Sequence, residues 1–135
     1  MKPEFKYIRE FTSTLEEVNN QVNELILLLD DKYESFNRFA LDLVLRETLN
    51  NAVIHGNKRN SDLLVTFVFT IEQSHMCVVV EDQGKGFDWR STIKSSSDPE
   101  IDHGRGFPIL SSYCSDISLN EKGNRISFCL GMTKG

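Results

Sequence analysis

The sequence predicts an α+β domain, a two-layer sandwich with helices packed on one face of a mixed, mostly antiparallel sheet. Three observations predict it. Two apolar patterns of helical period occupy residues 15–55. Two runs rich in β-branched and aromatic residues, 63–72 and 75–82, are separated only by Gln73-Ser74, which reads as an antiparallel hairpin. The element order β-α-α-β-β-α-β-β then leaves the helices to share one face of the sheet. At 135 residues, the chain is read as a single domain, 1–135, with a core of ordinary size.

Each element has a local reason. Over residues 3–11, Phe5, Tyr7, Arg9 and Phe11 alternate onto one side, as in a half-buried strand. Thr12 to Thr14 supply an N-cap, and Glu16 and Glu17 fall in the first helical turn, where the helix dipole favours carboxylates. Val18, Val22, Leu25, Ile26 and Leu29 follow at helical spacing until Asp30-Asp31. Ser35 is expected to cap a second helix over residues 36–55, ended by Gly56, with Phe36, Phe39, Ala40, Leu43 and Val44 on its core face. Residues 88–103 show no clean periodicity and read as a lid. A third helix is predicted over 105–114, and a last hairpin over 116–120 and 124–132 turns at Glu121-Lys122-Gly123.

Composition narrows the function. Apolar content of 39% and charged content of 26% describe a globular chain. A net charge of −5 argues against direct nucleic-acid binding, which calls for a basic patch. The start, MKPEFKYIRE, has no apolar signal core, and the longest apolar run, Leu25–Leu29, is too short for a membrane span, so a soluble, cytoplasmic protein is expected. Cys77, Cys114 and Cys129 are odd in number and far apart, which predicts buried free thiols in a reducing compartment.

Three boxes carry chemistry. Glu47, Asn51 and His55 lie at i, i+4 and i+8 and form one polar stripe, extending the line of Leu43 and so expected to point inward. Asn offers an oxygen ligand suited to Mg²⁺ beside phosphate and water, and Glu one turn away suits a base that polarises a hydroxyl. Asp82 ends a strand and opens Asp-x-Gly-x-Gly. Its carboxylate suits an exocyclic amine, with Gly84 and Gly86 letting the backbone pass close to a base. Gly104-Arg105-Gly106 opens a helix and suits an anion. Alone, each box has an ordinary reading, as solvated helix, turn or helix start. The P-loop spacing is absent.

Together and in this order, E-T-L-N-N-A-V-I-H-G, D-Q-G-K-G-F and H-G-R-G-F resemble the boxes of the Bergerat-fold (GHKL) ATP-binding superfamily. That superfamily is shared by gyrase, the ninety-kilodalton heat-shock chaperone, histidine kinases and the mismatch-repair ATPase. The first box is similar in particular to bacterial anti-sigma-factor serine-protein kinases, and the resemblance spans residues 4–132. It implies ATP with Mg²⁺ as cofactors, Glu47 as catalytic base and Asn51 as metal ligand. His55 would sit near the phosphates or support the helix end. Asp82 would take the adenine amine, and Gly84 and Gly86 would line the base pocket. Gly104, Arg105 and Gly106 would contact phosphates, with Arg105 at the γ-phosphate. Where relatives carry Gly-Thr in the last hairpin, this chain has Gly123-Asn124, so Asn124 stands at the adenine side.

The implied function is a serine/threonine kinase that phosphorylates a small anti-sigma-factor antagonist and otherwise holds a sigma factor inactive. The resemblance alone implies a homodimer. A histidine kinase-type catalytic domain ranks below, since no two-helix phosphoacceptor region precedes the boxes and the lid is short. A nucleotide-dependent binding switch without phosphorylation is the other alternative, and the presence of both Glu47 and Asn51 favours catalysis over it. Arg46 is expected to pair with an acidic neighbour and has no role assigned. His75, Trp89 and Lys58-Arg59 read as surface, lid packing and solvated loop.

Overall fold

The computed structural model describes residues 3–85 and 106–133. Eight elements follow the predicted order: strand β1 (Phe5–Thr12), helices α1 (Leu15–Lys32) and α2 (Arg38–Asn51), strands β2 (Leu64–Glu72) and β3 (His75–Asp82), helix α3 (Gly106–Tyr113), and strands β4 (Ser115–Leu119) and β5 (Arg125–Gly131). A π-helical turn, Ala52–Gly56, extends α2. The five strands run in the order β1-β2-β3-β5-β4. Among the described residues every pairing is antiparallel, which bears out the mostly antiparallel sheet expected, with no parallel pair.

The hairpins explain that pattern. Gln73 and Ser74 both take positive φ, 49° and 66°, as the two-residue turn that matches strand twist requires. Their neighbours Glu72 and His75 pair directly. From this register, Met76, Val78, Val80 and Asp82 face the helices, while Cys77 and Val79 face away.

The first helix forms as predicted. Thr14 Oγ1 accepts from the Glu17 N–H at 3.1 Å, and the buried side chains are Val18, Val22, Leu25, Ile26 and Leu29. Arg9 shares the core side of β1, where its guanidinium lies 4.0 Å from the Tyr7 ring centre and 3.5 Å from the Glu24 carboxylate of α1.

The second helix differs in two ways. Its cap is Asn37, not Ser35, with Asn37 Oδ1 accepting from the Ala40 N–H at 3.4 Å. Its core face keeps Ala40 and Val44 as expected but is completed by Leu41, Leu45, Thr48 and Leu49 rather than by Phe39 and Leu43. Phe39 is 64% exposed and stacks edge-on against Tyr113 of α3. Two apolar stripes overlap in this helix, and only docking against α1, β3 and the helix Gly106–Tyr113 selects between them. Leu45 is fully buried, and truncating it to alanine should cost roughly 2–5 kcal/mol.

The cysteine expectation is corrected. Cys77 and Cys129 sit directly opposite on β3 and β5, with Cα atoms 4.1 Å apart, and are joined by a disulfide. Fifty-two residues separate them, and sequence spacing carries no information about which strands become neighbours. Cys114 remains a thiol, and burial pushes its pKa up to about 12. Among the described residues, no helix is long and apolar enough to cross a membrane.

Candidate functional site between α2 and the end of β3

Of the first box, Asn51 is buried at 6% exposure, while Glu47 and His55 are half-buried. The stripe therefore runs along the flank of α2 and does not point wholly inward, because the buried stripe lies one position round the helix. Glu47 borders a groove of about 390 Å³ lined by Phe39, Asp42, Leu43, Arg46 and Asn50. A larger groove of about 450 Å³ lies at Ser35–Phe39 and Thr133 and is lined by none of the described site candidates. Arg46 pairs with an acidic neighbour as expected, donating to Asp42 at 2.7 Å. It also donates to Asn19 and Asn23 of α1, at 2.8 and 3.0 Å. The residue before Glu47 thus ties the two helices together.

The π turn changes the end of this helix. The Asn57 N–H reaches back five residues to the Ala52 carbonyl at 2.8 Å, and the Arg59 N–H reaches Val53 at 2.8 Å. Such wide turns open the helical ladder and recur at functional sites. Here the turn brings Gly56 against the Asp82 carboxylate, where a Cβ on Gly56 would overlap the oxygens. A Cβ on Gly84 would overlap the Gly56 carbonyl. Among the described residues, then, the close approach that requires Gly84 is to Gly56.

Asp82 is only 5% exposed. Burial pushes its carboxyl up to about 6, opposed by the Gly84 N–H, which donates to Oδ1 at 2.8 Å. Nearby Glu81 raises it further, and Lys122 lowers it. The carboxylate fronts a small cavity of about 10 Å³, room for about one water, shared with Thr48, Ala52, Asn124 and Ile126. Thr48 turns its hydroxyl to its own helix, donating to the Val44 carbonyl at 2.8 Å.

Asn124 stands beside Asp82 and grips its backbone. Its carbonyl accepts from the Asp82 N–H at 2.9 Å, and its Nδ2 donates to the Asp82 carbonyl at 3.1 Å. Its own Oδ1 accepts from Asn120 at 2.7 Å, which closes the turn before β5. Gly106 opens α3, and Pro108 falls in the first turn of that helix, where no N–H is needed. Gly86, Gly104, Arg105, the lid 88–103 and Trp89 lie outside the described residues. His75 and the Lys58-Arg59 pair are exposed, as read.

Three residues escaped the sequence reading as site components: Thr48, Gly56 and Asn57. Gly56 reads only as a helix stop in the sequence, since its contact with Asp82 depends on a strand 26 residues away. For Asn57, an asparagine directly after the helix-ending glycine was the available signal.

A polar helix flank lies next to a buried carboxylate that ends a neighbouring strand and opens a glycine turn. The chain belongs to the histidine kinase-like ATPase domain family, whose pattern matches residues 5–130. A domain of that family implies ATP as its ligand. Among characterised proteins, the chain is 26% identical over 98 residues to the anti-sigma F factors of Bacillus velezensis and Bacillus subtilis, covering 67% of this chain and 67% of each relative. It is 29% identical over 96 residues to the serine-protein kinase RsbW of Staphylococcus epidermidis, covering 63% of this chain and 60% of that protein.

Proposed function

We propose that this domain is an ATP- and Mg²⁺-dependent serine/threonine protein kinase of a partner-switching pathway. In this reading it phosphorylates a small anti-sigma-factor antagonist and otherwise holds a sigma factor inactive. The observation that carries the nucleotide reading is Asp82, a carboxylate buried at real cost with its backbone gripped by Asn124. Burying a charge against its preference is sustained where a ligand donor completes it. The adenine exocyclic amine is such a donor. The partner reading rests on the relatives, an anti-sigma factor and a serine-protein kinase.

The residues at the other end fit a metal-bound triphosphate. Asn51 offers a hard oxygen donor in a buried position, and Mg²⁺ bound through phosphates and waters needs few protein ligands. Mg²⁺ held there would supply positive charge against the charge that develops on the transferring phosphoryl group. Glu47, on the open groove, takes the proton of the acceptor serine hydroxyl as its oxygen bonds to the γ-phosphorus. The bond to the β,γ-bridging oxygen breaks, and ADP leaves. Gly86 lines the base pocket and His55 supports the helix end near the phosphates. Gly104, Arg105 and Gly106 hold the phosphates, with Arg105 at the γ-phosphate.

The test is transfer of γ-labelled phosphate from ATP to a small antagonist protein encoded beside this chain. Acid-stable label on serine or threonine is the expected result. Label on histidine, or rapid ATP hydrolysis without an acceptor, would replace the serine-kinase reading.

A further inference from the structure

Asn57 is 1% exposed, directly after the π turn, and all its side-chain hydrogen-bonding groups are engaged. Its Nδ2 donates to Ser13 Oγ at 2.6 Å and to the Leu64 carbonyl at 2.9 Å. Its Oδ1 accepts from the Gln83 N–H at 2.8 Å. These partners lie on three separate segments: the end of β1, the start of β2 and the residue after Asp82. Gln83 returns the link, its Oε1 accepting from the Leu64 N–H at 2.6 Å. Ser13 in turn donates to the Leu63 carbonyl at 2.9 Å.

The peptide units flanking the Asp82 side chain are therefore held from two sides. Asn124 holds the amide and carbonyl of Asp82 itself, and Asn57 holds the amide of the next residue. Gly84 then closes the turn onto the carboxylate. Asn57 is also covalently continuous with the helix that carries Glu47 and Asn51, one residue beyond the Gly56 that packs on Asp82. A buried amide with three satisfied bonds has one orientation, because any rotation strands a donor or an acceptor away from water.

We propose that Asn57 is a positioning residue for base recognition: through the Gln83 amide it fixes the direction of the Asp82 carboxylate and registers the strand end against α2. The inference rests on the reading of Asp82 as the base-binding carboxylate. It goes further in assigning base selectivity to a residue that does not touch the nucleotide.

The experiment compares wild type, Asn57→Ala and the core control Val22→Ala by thermal unfolding and by calorimetry with ATP, ADP and GTP, well below each Tm. Asn57→Ala should weaken ATP and ADP alike, by roughly ten-fold or more, because the lost contact serves the base and not the γ-phosphate. The preference for ATP over GTP should narrow by a similar factor. Val22→Ala should lower Tm with affinities within about three-fold of wild type. A destabilised Asn57→Ala with unchanged affinities and unchanged preference would overturn the proposal and leave Asn57 as structural glue.

A second measurement needs no variant. By linkage, ADP binding should slow hydrogen exchange at the wild-type Gln83 amide by roughly ten-fold, with Cys77 at the far half of β3 unchanged. Equal effects at both amides would count against the proposal. Failure of the underlying reading looks different: wild type would bind no ATP, or Asp82→Asn would bind it as well as wild type.

Discussion

At the proposed base end of the site, Asp82 is 5% exposed, and Asn124, Gly84 and, through Gln83, Asn57 hold its surroundings. At the other end, Glu47 is half-buried beside an open groove of about 390 Å³. The base end hangs on the end of β3, the middle strand of the sheet, which pairs with β2 on one side and β5 on the other. The Glu47 end hangs on the flank of a helix, and the neighbouring Arg46 ties that helix to Asn19 and Asn23 of α1. The difference teaches where rigidity is placed. On the proposed function, the end that would recognise a flat base is held in advance, and the end that would admit a second protein's hydroxyl is only half-buried.

The sharpest way to break this contrast is Glu47→Gln. ATP affinity should stay within a few-fold, while phosphoryl transfer to an acceptor falls by roughly 10²–10⁴, the usual range for a general base. Single-turnover transfer at saturating ATP checks it, and a wild-type rate would remove Glu47 from the chemistry.

Next is the bridge at the far half of the strands that carry the base end. Reducing Cys77–Cys129, or replacing both by serine, should lower unfolding free energy by about 2–4 kcal/mol. ATP affinity should change little, because the bridge lies on the sheet face away from Asp82. Denaturant unfolding with and without reductant measures the first quantity, and calorimetry the second. A large affinity loss on reduction would mean that the base end is held less locally than its hydrogen bonds indicate.

Asp82→Asn should separate binding from stability. Loss of the charge-assisted bond should weaken ATP on the order of 1.5–3 kcal/mol. The free protein should become more stable at neutral pH, since the buried charge is gone. The sign follows from the titration: the folded carboxyl sits at about 6 against an ordinary 3.8, so the folded state holds its proton more tightly. The cost of burial, on the order of 3 kcal/mol, is full above pH 6 and is relieved as pH falls from about 6 toward 4. Over that same interval ATP affinity should fall, because the protonated acid no longer accepts at both oxygens. Unfolding and binding measured across pH 4 to 8 check both signs, and Asp82→Asn should flatten both curves.

The smallest effect belongs to Phe39→Ala. At 64% exposure this side chain contributes little to the core, so stability should shift by less than about 0.5–1 kcal/mol. An acceptor protein that docks on the groove beside Glu47 would show a raised KM with kcat unchanged.

Element by element, what was legible is what a local rule specifies. The Thr14 cap, the α1 stripe and the two-residue Gln73-Ser74 hairpin each depend on neighbours in sequence, and each appears where predicted. The α2 face was read in part: Ala40 and Val44 are buried as expected, but Phe39 and Leu43 offered an apolar line as good as Leu41, Leu45 and Leu49 by periodicity alone. The π turn was invisible, since its wide hydrogen bonds follow from how Gly56 must meet Asp82 across the sheet. The boxes themselves were legible as residues. Their division into a fixed base end and an accessible Glu47 end was not.

By itself, the sequence determined the order and type of the elements, the family, and which polar residues stand at the ends of helix and strand. Periodicity, capping and turn chemistry act within a few residues, and that is why they can be read. Only the tertiary structure decided that Cys77 meets Cys129, that Asn57 holds the loop after Asp82, and that Gly84 packs on Gly56. Each of those contacts joins segments 26 residues or more apart. Strand register and helix docking set them together, through the burial of one shared core, and no single segment encodes them.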